Sequence, residues 1–198
     1  MMLIKMKKIL AFGAIVMVLA ACDSGGRVEN TKALSNEIKA SKIKRVTNTQ
    51  LIYSADAWGK KIAKVAERAL NIELEKYPEK AGEICQNLGN IPVIGALEKE
   101  YGVNIELLDL TDLKNPDLAA KERELLEAYL YSAKAKSVAS DNLQQLSDTL
   151  LVYNAPVPAQ SLICKSCQPE AETPFAVWRL LFNKKDIIRK LDAKQLKD

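Results

Sequence analysis

From Thr49 to Tyr77 the apolar residues Leu51, Ala55, Trp58, Ile62, Val65, Ala69 and Ile72 recur at steps of three and four, the period of an amphipathic helix. A stripe of that length constrains everything after it, because one long helix must lay a continuous apolar face against something. Tyr77-Pro78 ends it, since a residue before proline is disfavoured in the helical region. Such a stripe could form a dimer or signalling surface; packing on the core of its own domain is the simpler reading.

The elements that follow are short. Glu79–Leu88 and Ile91–Tyr101 read as two helices closed by Gly89 and Gly102, the usual residue just past a helix end. Val103–Leu110 alternates as a strand with one buried face. Asn115-Pro116 opens a helix that runs to about Lys134, with Asn115 as N-cap and Pro116 in the first turn, where no N–H is needed. Its apolar face is Leu118, Leu125, Leu126, Tyr129 and Leu130, and Lys121, Glu122, Arg123, Glu124 and Glu127 read as a solvated face. Leu143–Leu146 and Leu150–Asn154 form a hairpin around Ser147-Asp148. Pro156 and Pro158 then break regular structure and lead an irregular loop into the cysteine pair. Phe175–Phe182 reads as a strand and Lys184–Leu191 as a closing helix, so the class is α+β with a long N-terminal helix.

The chain has 198 residues, 48% apolar and 27% charged, which suits one globular domain with a core of its own. Lys5 to Lys8 form a basic segment, Ile9 to Ala20 an apolar one, and Leu19-Ala20-Ala21-Cys22 has the small-residue pattern of a bacterial lipoprotein cleavage site. About 13 apolar residues are short of the roughly 20 needed to cross a bilayer. Residues 1–21 are therefore expected to be a signal peptide, with Cys22 lipidated and inserted in the membrane. The product faces the periplasm or the exterior of a bacterial envelope, with 22–48 as a flexible tether and 49–198 as the domain. Removing the three leader lysines from the net charge of +4 leaves +1, which implies no nucleic-acid partner.

Cysteine usage is the most specific signal. Outside the cytoplasm thiols tend to be oxidised or otherwise committed, and Cys85, Cys164 and Cys167 make an odd count once Cys22 is set aside. Cys164-Lys165-Ser166-Cys167-Gln168 has the spacing of a covalent haem attachment motif, C-x-x-C-H, with glutamine in the histidine position. No histidine occurs anywhere in the chain. An exchanging thiol pair is the redox alternative, but Pro169 and the preceding proline loop are not a thioredoxin context, and a static Cys164–Cys167 disulfide is preferred over a catalytic one. Three cysteines without histidine leave a zinc shell incomplete. Hydrolysis lacks a histidine base, a nucleophile elbow and a phosphate loop, so the expectation is a protein that is not an enzyme.

Gly82-Glu83-Ile84-Cys85, Asn115-Pro116-Asp117, Tyr153-Asn154-Ala155-Pro156 and Cys164-x-x-Cys167 occur in that order. Together they resemble a bacterial family of single-haem c-type proteins with a PAS-like domain, over roughly Ala57 to Leu191. The resemblance implies a PAS-like small antiparallel sheet flanked by helices. It also implies haem c attached through Cys164 and Cys167, with Cys85 in the short helix as an axial thiolate. Two departures bear on this. Gln168 removes the histidine ligand, leaving Cys85 or a lysine such as Lys165 for the iron, and the segment from Gln168 to Pro174 is shorter than the family's. The resulting expectation is a degenerate haem site in a sensory or binding domain, with unusual haem ligation in redox sensing or electron transfer as the alternative.

Overall fold

The structure, a computed structural model, describes residues 46–169 and 172–191, all within one compact unit. The signal peptide, the lipidation site Cys22 and the tether before Val46 lie outside the described residues.

Helix α1 spans Asn48–Lys76. Its start is fixed by a capping box: Thr47 Oγ1 accepts the Gln50 N–H at 3.2 Å, and Gln50 Oε1 accepts the Thr47 N–H at 2.9 Å. It stops at Tyr77, before Pro78, as the sequence requires. Leu51, Ala55, Ile62 and Ala69 of the expected stripe are buried. The stripe is displaced toward its C-terminal end, however, where Ala66, Leu70 and Leu74 are buried and Ile72 is exposed. The stripe packs on the domain's own core.

Helices α2 (Ala81–Gln86) and α3 (Pro92–Tyr101) follow, joined by a 3-10 turn at Leu88–Asn90. Gly102 ends α3 with φ +61 and donates its N–H to the Glu98 carbonyl at 2.8 Å, the left-handed cap that glycine adopts without a Cβ penalty. Strand β1 is Val103–Leu108. Asp109 then caps a further 3-10 turn, Leu110–Lys114, that strand periodicity does not reveal. Helix α4 spans Ala120–Lys134 and so begins later than Pro116. The Asn115 side chain accepts the Asp117 N–H at 3.0 Å in a local turn instead of capping the helix.

Strands β2 (Asn142–Gln145) and β3 (Leu150–Val157) form the hairpin. Ser147 Oγ holds its loop by accepting the N–H groups of Thr149 and Leu150, each at 3.2 Å. Strand β3 runs past Asn154 through Pro156, because β2 ends with Asn142 opposite Asn154 and the proline lies where β3 has no outer neighbour. Helix α5 (Leu162–Cys167), strand β4 (Ala176–Asn183) and helix α6 (Lys184–Lys190) complete the order. The sheet runs β1-β4-β3-β2, with every neighbouring pair antiparallel. The fold is therefore an α+β arrangement with a four-stranded antiparallel sheet, flanking helices and a long N-terminal helix.

The two sheet faces differ. Leu151, Tyr153, Trp178, Leu180, Phe182, Val103 and Ile105 share one cluster with the buried side of α1. Leu108 and Val177 share the other with Leu118, Leu126 and Tyr129 on and before α4. Strand β4, covered on both faces, is buried at almost every position, which is why it reads as a nearly continuous apolar run.

Small residues let α1 lie close to the sheet, and Gly59 is where this matters most. A Cβ there would fall 2.4 Å from Cγ of Tyr153. The ring has little room to retreat, since it is buried and its hydroxyl donates to Asp141. Gly59→Ala should therefore cost about 1–3 kcal/mol by overpacking, reduced by the roughly 1 kcal/mol that alanine gains as a helix former. A melting temperature lowered by the remainder, up to about 2 kcal/mol, is the expected reading, and a higher one would contradict this contact.

Candidate functional site

Helix α5 was not expected, and it decides where the cysteine motif sits. Its N-cap is Ser161, whose Oγ accepts the Cys164 N–H at 3.2 Å; a serine three residues ahead of Cys164 is the signal that could have revealed it. Cys164 and Cys167 thus stand one turn apart on a helix rather than in an irregular loop. The disulfide runs across the fold and not along the motif: Cys85 on α2 is bonded to Cys167 on α5, with a Cα separation of 5.7 Å. Helix α5 carries Cys167 at its solvent end toward α2, while Cys164 points into the core beneath it. Cys164 is a free thiol at 0% exposure. Burial pushes that thiol above its ordinary pKa, against the lowering effect of its bond to Ser161, so it is not an activated nucleophile.

Gln168 has a structural job. Its Oε1 accepts the Phe175 N–H at 3.0 Å and its Nε2 donates to the Phe175 carbonyl. One side-chain amide thus pairs with both backbone groups at the entrance to β4, closing the loop after α5 as a strand partner would.

Cys85, Cys167 and Gln168 line one cleft of about 540 Å³. Asn87 and Asn90, around the 3-10 turn after α2, and Asn104 on edge strand β1 contribute amides to it. Glu98 stands at its rim and accepts the Ile105 N–H at 3.0 Å, covering part of an exposed strand edge. The resemblance assigned Cys85, Cys164 and Cys167 to a single group, and the structure brings Cys85 to Cys167 and to the glutamine beside it. It leaves Cys164 inside the core. As arranged, the sulfurs do not fit haem c: those of Cys85 and Cys167 are bonded to each other, and the third is enclosed. Among the described residues no group of three or more cysteine or carboxylate side chains could hold a metal ion.

Sequence reasoning missed a second polar feature. Asn142, Asn154, Arg179 and Glu106 stand in one row across all four strands. The Arg179 Nε donates to Glu122 Oε1 of α4 at 2.7 Å, and its Nη1 to Glu106 Oε2 at 2.8 Å. Glu122, expected on the solvated face of α4, is buried, and its Oε2 also accepts the Ala119 N–H at 3.0 Å. The row's outer end, Glu106, opens on the cleft. At the far side of the sheet Tyr153 donates to Asp141, and Tyr129 donates to the Ser140 carbonyl at 3.0 Å. Burial, with the Asp141 charge second, pushes the Tyr129 phenol up to about 12 and raises that of Tyr153 as well.

No family model matches the chain, no curated protein matches it in sequence, and no solved structure matches its fold.

Proposed function

We propose that the chain is a bacterial envelope lipoprotein whose PAS-like domain derives from the single-haem c-type family, no longer carries haem and has a non-catalytic sensory or binding role. The observation that carries this reading is the use of three motif positions within the fold itself: Cys85 and Cys167 are bonded to each other and Gln168 is bonded twice to Phe175. Those contacts meet at a cleft open to solvent and walled by amides and carboxylates, a concave surface with convergent polar groups of the kind that holds a small ligand. Membrane attachment in this reading lies at Cys22; no described helix is long and apolar enough to cross a membrane.

The test is purification from a host that carries cytochrome maturation genes, followed by acid-acetone extraction. The protein should show no Soret absorption that survives extraction. A covalent Soret band would overturn the loss of haem and favour the alternative, a haem of unusual ligation in redox sensing or electron transfer.

A further inference from the structure

Strand β1 is an outer strand of the sheet, with β4 on one side and the cleft on the other. In an antiparallel edge strand alternate residues turn their N–H and C=O to the neighbouring strand, and the residues between turn theirs away. The Ile105 N–H goes to Glu98 Oε1 and the Asp109 N–H to Asp112 Oδ2 at 2.9 Å, both off the sheet. Leu107 lies between them, so its N–H and C=O also point away from β4, as does the Ile105 C=O. Among the described residues no group bonds the N–H or C=O of Leu107 on that side, or the C=O of Ile105. Glu98 and Asp112 thus cover the edge on either side of a gap at Leu107. Strand β1 has no proline, no lysine and an unbroken register with β4, so it lacks the usual devices that keep a further strand from adding to an edge.

The cleft that this gap faces also has a sign. Glu98, Glu106 and Asp109 line it, and no lysine or arginine does. Glu106 shares Arg179 with Glu122, so two carboxylates meet one guanidinium. The charge left over is negative, and it lies at the open end, on the half-exposed Glu106.

We propose that the cleft binds an extended peptide that adds to the sheet beside β1, antiparallel to it, with a lysine or arginine opposite Glu106. This rests on the reading of the cleft as the binding site and names its ligand class. The peptide residue opposite Leu107 exchanges both backbone bonds with it, and the residue two further on donates its N–H to the Ile105 C=O. The residue between them stands opposite Glu106 with its side chain on the same face, so a basic side chain there pairs with the carboxylate across the strands. Main-chain bonds supply the affinity and that one side chain the preference. The Cys85–Cys167 bond lines the same cleft and holds α2 to α5 there.

The experiment titrates the full oxidised chain with Cys22→Ser, labelled with nitrogen-15, with an end-blocked pentapeptide of threonine, valine, lysine, valine and threonine. The peptide should shift the Leu107 amide resonance and slow its hydrogen exchange by about tenfold or more at saturation. It should bind about threefold tighter than the same peptide with glutamine at its centre, and about tenfold tighter than the one with glutamate. Glu106→Gln should erase the preference for lysine over glutamine. A methyl group on the first valine nitrogen, which removes the donor to the Leu107 C=O, should abolish the Leu107 shift. The proposal is overturned if no peptide shifts the Leu107 amide at millimolar concentration, if the methylated peptide binds as well as the parent, or if the lysine preference survives Glu106→Gln. Shifts confined to the side-chain amides of Asn87, Asn90 and Gln168 overturn strand addition alone and leave the cleft a binding site. Failure of the haem reading shows elsewhere, as the covalent Soret band.

Discussion

Loss of the Cys85–Cys167 bond should lower the unfolding free energy by about 4 kcal/mol, because its two ends are 82 residues apart and the entropy removed from the unfolded chain grows with the loop that is closed. Domains of this size are stable by only about 5–15 kcal/mol, so the bond is a large share of the total. It joins α2 to α5, two six-residue helices too short to hold their places by helix propensity. The comparison is cleanest in a Cys164→Ala background, where no alternative pairing can form. There, urea unfolding with and without reductant should show a midpoint shift of that size, and a change below about 1 kcal/mol would mean that the helices are held by packing alone.

The second large effect belongs to the buried ion pair. Glu122→Gln or Arg179→Met should each cost about 3–5 kcal/mol, since either leaves a charge in the interior without its partner. Glu106→Gln should cost no more than about 1 kcal/mol, because that side chain is 44% exposed while that of Glu122 is 3% exposed, and solvent screens the outer pair. The contrast between two glutamates on the same arginine separates burial from charge. The double variant Arg179→Met with Glu122→Leu should recover most of the loss, as apolar replacements of a buried pair often do. Urea denaturation of the four variants reads all of this, and equal costs for the two glutamates would contradict the placement of α4.

What the sequence disclosed follows physical range. The long helix, the strand at Phe175–Phe182 and the hairpin at Ser147-Asp148 are local patterns, written in spacing and turn residues, and they appear where expected. The start of α4 differs from the expected one because Asn115 satisfies a neighbouring turn, a choice between two local bonds that spacing cannot separate. Glu122 was misread because a carboxylate among charged neighbours looks solvated until β4 sets Arg179 opposite it, 57 positions along the chain. The pairing of Cys85 with Cys167 is likewise a property of α2 and α5 meeting. The motif singled out Cys164, Cys167 and Gln168 and the resemblance added Cys85, but neither says which of them touch.

The state of those sulfurs in the mature protein separates a structural disulfide from a haem site, and an intact mass before and after thiol alkylation reads it in one spectrum. With Cys22 acylated or replaced by serine, and the protein made alongside cytochrome maturation genes, the denatured chain should take one alkyl group before reduction and three after it. Its starting mass should be that of the chain less two hydrogens. A starting mass larger by one haem, with Cys164 and Cys167 closed to alkylation even after reduction, would contradict it.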